Sequence, residues 1–86
     1  GDESAVPAIT LDRNAVISGV PIADLLVSAG LAPSKSEARR LIAQGGITLN
    51  DQKVTDINQT VTVEDFPENQ ALIKKGKKQF QRVVLQ

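Results

Sequence analysis

The sequence predicts a small α/β protein of the α+β kind, with two packed helices against a small, mainly antiparallel sheet. Three observations carry this. Ile22, Leu25, Leu26 and Ala29 repeat at i, i+3, i+4 and i+7, the spacing of a helix with one apolar face. Ala38, Leu41 and Ile42 make a second such face behind the start Ser34-Lys35-Ser36-Glu37. The alternating Ile47-Thr48-Leu49, the β-branched Val61-Thr62-Val63 and the two runs either side of Gly76 then read as strands joined by turns.

In chain order, residues 1 to 8 have the small, polar and proline content of a linker or a remnant of cleavage, expected to be mobile, and the domain is expected over 9 to 86. Ile9, Leu11, Val16 and Ile17 lay short extended or irregular segments onto the core, in a pattern too weak to assign. Pro21 suits the first position of a helix that ends at Gly30, and Leu31-Ala32-Pro33 makes a short corner into the next. Ser34 and Glu37 form a capping box, so the second helix begins at Lys35. Ser36 and Arg40 then point away from its apolar face, with Lys35 and Arg39 along the edge. Gly45-Gly46 supplies the left-handed backbone that ends it. Asn50-Asp51 is a turn between Ile47-Leu49 and a returning strand at Lys53-Val54, and Glu64 to Asn69 is a polar loop. Residues 71–74 and 78–84 form a hairpin with a lysine cluster at its tip. Its facing is mixed, because Phe80 inward brings Arg82, whereas Val83 inward brings Gln79 and Gln81; a bulge or a partly open edge is expected there.

Composition narrows the chemistry. The 86 residues contain no Cys, His, Met, Trp or Tyr, and Phe66 and Phe80 are the only aromatics. Disulfides, thiolate or imidazole metal sites and a His general base are therefore excluded. The serines have no base beside them, the carboxylates are scattered, and Gly45-Gly46 follows a helix instead of opening one as a phosphate loop does. The expectation is a non-catalytic chain with no catalytic residue, metal or cofactor. Lack of Met predicts a piece of a longer protein, and no apolar run reaches the roughly 20 residues of a membrane span. Ten basic and ten acidic residues cancel, yet they are laid down in blocks. Residues 1–33 carry −3 and 55–70 carry −4, whereas 34–54 carry +2 and 71–86 carry +5. A polyanion responds to the local field within a Debye length of about 8 Å, so net neutrality does not bar it.

The run S-K-S-E-A-R-R-L-I followed by Q-G-G-I-T-L-N resembles the alpha-L motif of ribosomal S-four-type RNA-binding domains. The version at the C-terminus of bacterial tyrosyl-tRNA synthetases is the most similar, because P-I-A-D-L-L-V-S-A-G-L-A-P-S-K-S-E-A-R-R-L-I and K-K-G-K-K-Q-F-Q-R-V-V also fit, from Val20 to Val84. Asp51 departs from it, at a position where that family often has glycine.

The resemblance implies an S-four-like domain that holds structured RNA, with tyrosine tRNA as its partner, while tyrosine and ATP are used in another domain. It also implies contact with the catalytic and anticodon-side domains of its own parent chain, a cytoplasmic setting, and a parent for which a homodimer is one arrangement. Lys35, Arg39, Arg40 and Lys53 would neutralise phosphates, and Ser36, Gln44 and Asn50 would add hydrogen bonds. Lys74, Lys75, Lys77, Lys78 and Arg82 would extend the footprint. The bland alternatives are a solvated cationic helix face and lysines that guard a hairpin edge against aggregation. Lack of a stacking platform argues against single strands and for backbone and 2′-hydroxyl contacts to folded RNA. The rival settings are an S-four module of a pseudouridine synthase or of a ribosome-associated protein, and a protein-interaction module with an acidic partner.

Overall fold

The structure is a computed structural model that describes residues 8–86. The linker expected over residues 1–8 lies outside the described residues except for Ala8, which opens the first strand. The elements run β1 (Ala8–Leu11), α1 (Arg13–Ile17), β2 (Val20–Pro21), α2 (Ile22–Ser28), α3 (Lys35–Ala43), β3 (Ile47–Leu49), β4 (Gln52–Lys53), β5 (Thr60–Val61), β6 (Gln70–Lys75) and β7 (Gln79–Leu85). Single 3₁₀ turns occupy Val63–Asp65 and Pro67–Asn69.

The main sheet has five strands in the order β1-β7-β6-β3-β4, and β2 and β5 form a separate antiparallel pair. All neighbours in the main sheet are antiparallel except β1 and β7, which run parallel with Ala8 opposite Arg82 and Leu11 opposite Leu85. The expected α+β architecture is therefore present, with one parallel edge added by the N-terminal segment. That segment is ordered: Asp12 caps α1 by accepting from the Asn14 amide at 2.9 Å, and Val16 is fully buried. Ile22, Leu25 and Leu26 of α2 join Ala38 and Ile42 of α3 and Ile47, Ile73 and Val83 of the sheet in one aliphatic cluster.

Several boundaries differ from expectation for identifiable reasons. Pro21 pairs with Thr60 in β2 and is the residue before α2, so the helix begins one position later. The capping box of α3 is half formed. Ser34 Oγ accepts from the Glu37 amide at 3.2 Å, but the Glu37 carboxylate turns to Arg40 at 3.4 Å instead of reaching back. The expected strand at Val61-Val63 is cut short because Thr62 and Asp65 offer the backbone a rival arrangement. The Asp65 carboxylate accepts from the Thr62 amide at 2.9 Å and Thr62 Oγ1 accepts from the Glu64 amide at 3.3 Å, a capping box that starts a 3₁₀ turn. The final hairpin has no bulge and β7 is not an edge. Pairing runs residue for residue from Gln70 opposite Val84 to Lys75 opposite Gln79, and β1 covers the other side. Val83 and Leu85 face the core, Gln81 shares that face at 8% exposure, and Gln79 lies exposed at the sheet's end, where the core has run out.

Candidate nucleic-acid interface

The site is built from the end of α3 outward. α3 stops in two crossed bonds, Gly46 N–H to the Leu41 carbonyl and Gly45 N–H to the Ile42 carbonyl, each 3.0 Å. This closure puts Gly45 at φ 75°, and the side chain of Lys53 lies across it, its Nζ 3.5 Å from where a β-carbon would stand. Lys53 of β4 is thereby held beside Gln44, the exposed residue that closes α3. The β6–β7 tip is fixed to the same corner, because the Gly76 amide donates to the Gly46 carbonyl at 2.8 Å and Lys75 pairs with Ile47. The backbone of the tip from Lys75 to Lys78 is therefore brought to the glycine corner that Lys53 lies across, with Lys75 on the sheet face of Ile47 and Lys53 on that of Thr48.

Along α3 itself, Ala38 and Ile42 are buried and Leu41 is half-buried, while Ser36, Arg39, Arg40 and Gln44 are exposed. At helical spacing these four make one outer stripe that ends at the glycine corner. Ser36, Arg39, Arg40 and Gln44 thus line one face of α3, and Lys53 and the tip from Lys75 to Lys78 meet the helix at the glycine corner where it ends; these residues are termed the rim. Arg39, Lys53, Lys75, Lys77 and Lys78 have no ion-pair partner among the described residues. The remaining predicted cations are engaged. Lys35 ties α3 to α2 through Asp24 at 3.2 Å, Arg40 pairs with Glu37, and Lys74 pairs with Asp51 at 2.8 Å.

Two predicted residues take other positions. Asn50 sits at φ 51°, where β3 turns away from β6, and its side chain carries the ladder on: Oδ1 accepts from the Leu72 amide at 3.0 Å and Nδ2 donates to the Asp65 carbonyl at 2.8 Å. It holds the turn that presents Lys53. Arg82 lies mid-strand in β7, level with Ala8 and Leu72, well away from the hairpin tip. Sequence reasoning overlooked Gly76 as a positioning residue; its backbone bond to Gly46 leaves no side-chain pattern to read.

Acidic groups come close to the same corner: Glu64, Asp65 and Lys53 line one polar hollow of about 280 Å³ together with Asn50, Gln52 and Gln59. Among the described residues there is no group of three or more His, Cys, Asp or Glu placed to hold a metal, and no helix is long and apolar enough to cross a membrane.

A family model described as the tyrosine–tRNA ligase SYY-like C-terminal domain matches residues 2–83. The tyrosine–tRNA ligase of Clostridium tetani (strain Massachusetts / E88) is 46% identical over 85 residues, which is 99% of this chain and 20% of that protein. The tyrosine–tRNA ligase of Clostridium perfringens (strain 13 / Type A) is 41% identical over 85 residues, with the same coverage of 99% and 20%. A solved structure described as the solution structure of a tyrosyl-tRNA synthetase C-terminal domain has a TM-score of 0.72 and 32% identity, and the match covers 96% of this chain and 81% of that one. The chain spans about a fifth of the length of the ligases it matches. By its family match, its identity to these ligases and the likeness of its fold, the chain belongs to the family of tyrosyl-tRNA synthetase C-terminal domains, with their S-four-like fold.

Proposed function

We propose that this domain holds tyrosine tRNA by its sugar-phosphate backbone while aminoacylation proceeds in the remainder of a cytoplasmic parent ligase. The observation that carries this is the set of Arg39, Lys53, Lys75, Lys77 and Lys78, cations with no ion-pair partner among the described residues, of which Lys53 and the tip from Lys75 to Lys78 meet the end of α3 through the Gly76–Gly46 bond and the close approach of Lys53 to Gly45. Cations already neutralised release few counterions from a polyanion, whereas these five are available to do so. Ser36 and Gln44 add exposed hydrogen-bonding groups to the same stripe. The half-buried Phe80 and buried Phe66 leave no aromatic platform for unstacked bases, which favours folded RNA over single strands.

The test is a titration of a labelled tyrosine tRNA transcript followed by fluorescence anisotropy, repeated across salt. About five phosphate contacts give a log-log slope of roughly −3.5 to −4.5. A slope between 0 and about −1 would remove the electrostatic basis of the proposal. Competition by a ribosomal RNA fragment as effective as unlabelled tyrosine tRNA would assign the rim to structured RNA in general.

A further inference from the structure

The turn between β3 and β4 carries an acid in a place that does not suit one. Asn50 and Asp51 have φ 51° and 69°, a two-residue hairpin turn of the kind in which glycine is favoured at the second position. Asp51 stands there with its side chain 75% exposed, and its only ion pair among the described residues is with Lys74, Oδ1 to Nζ at 2.8 Å. Lys74 is itself well placed. Thr48 pairs with Lys53 on one side and Lys74 on the other, so the two lysines flank one strand on the same face of the sheet. The Lys74 ammonium also lies 5.7 Å from the centre of the Phe80 ring, and only 34% of its side chain is exposed. Lys74 is thus a cation held in position on the same sheet face as the rim residue Lys53, with a carboxylate where an external anion would sit.

We infer that Asp51 is a built-in competitor for RNA: its carboxylate occupies the site on Lys74 that an RNA phosphate takes, and so limits the affinity of the rim. The inference rests on the RNA-binding reading above and adds a residue that tunes it. Carboxylate and phosphate oxygens are interchangeable acceptors for an ammonium group. Lys74 is largely covered and the pair is open on the Asp51 side, so a phosphate reaches the ammonium only by displacing that carboxylate. The displaced carboxylate stays on a two-residue turn beside the rim, where it repels the incoming backbone. The other two pairs differ in kind, since Lys35–Asp24 joins two helices and Arg40–Glu37 lies within one helical turn.

The experiment is a double-mutant cycle read by tyrosine tRNA binding between about 50 and 300 mM salt. Asp51→Asn keeps a residue that tolerates positive φ and removes the charge. It should tighten binding about tenfold at the lowest salt and steepen the salt slope by about one, while Glu68→Gln, an equal change in net charge, moves affinity less than about twofold. In a Lys74→Ala background the gain from Asp51→Asn should fall below about threefold, because the contested cation is gone. Unchanged affinity in Asp51→Asn, or the same gain with and without Lys74, would overturn the inference while leaving wild-type RNA binding intact. Wild-type protein that shows no salt-dependent binding would instead sink the RNA reading itself, and this inference with it.

Discussion

Asn50 separates two roles that a sequence pattern cannot, holding a turn and touching a ligand. Replacing it with alanine removes the acceptor of the Leu72 amide and the donor to the Asp65 carbonyl, both part-buried. Each lost bond costs about 1 kcal/mol, and alanine at φ 51° adds roughly 1 kcal/mol of backbone strain. The total of about 3 kcal/mol is a large share of the 4 to 13 kcal/mol or so that a domain of this size holds in all. At about 4 to 8 °C per kcal/mol, the melting temperature of Asn50→Ala should fall by roughly 12 to 24 °C. Asn50→Asp keeps the acceptor for Leu72 and loses the donor to Asp65, so its fall should be intermediate. Thermal melts by circular dichroism give both numbers, and RNA titration at about 10 °C, where both variants remain folded, should give affinities within about threefold of wild type. A fall of less than about 4 °C in Asn50→Ala, together with lost RNA binding, would show that the amide serves the ligand and that the two hydrogen bonds contribute little.

Other expectations follow from single contacts. Ser34→Ala should cost about 1 kcal/mol in chemical denaturation, through loss of the bond to the Glu37 amide, and leave RNA affinity nearly unchanged. Gly19→Ala should destabilise by at least about 2 kcal/mol, because Gly19 is at φ 94° and a β-carbon would stand 2.6 Å from Thr60 Cγ2; a stable variant would show that β2 and β5 can move apart. Leu26→Ala, at a position with no exposure, should cost about 2 to 5 kcal/mol and leave the domain largely unfolded at 37 °C by the same melts. Arg39→Glu should weaken tyrosine tRNA binding by more than about tenfold with an unchanged circular dichroism spectrum, and by more than Lys35→Glu, because Lys35 is already paired with Asp24. Equal losses in the two would mean that internal ion pairs do not decide which cations act.

What the sequence made legible was local. Period and capping were enough for α2 and α3, because Ile22, Leu25, Leu26, Ala38 and Ile42 all face one core and Ser34 caps as its position implies. The Asn50-Asp51 turn was readable from residue chemistry, and the α3 stripe from helical spacing. Pairing at long range was not. Ala8–Leu11 carries only Ile9 and Leu11 as a signal, and nothing in four residues says that their partner is β7 or that the pair is parallel. The 3₁₀ turn at Val63–Asp65 was readable in principle, since Thr62 and Asp65 have the spacing of a capping box, but two valines outweighed it in the strand reading. In the site, charge and position were visible, whereas neutralisation was not: that Lys35, Arg40 and Lys74 are paired depends on Asp24, Glu37 and Asp51 reaching them in three dimensions.

The parallel pairing of β1 with β7 has a bearing on how the chain acquires its shape. Its partners are more than seventy residues apart, so the first strand has no neighbour until the final hairpin has formed. Pairings of that span are slow to close, because chain entropy is lost before any contact is returned. During synthesis, α2, α3 and the β3–β4 turn are able to assemble early, while Ala8–Leu11 waits with its apolar face uncovered. Interrupting the chain before Gln79 would leave β1 without its partner and β6 held on one side only, by β3, so the sheet gains its outer edge only once the last strand is in place.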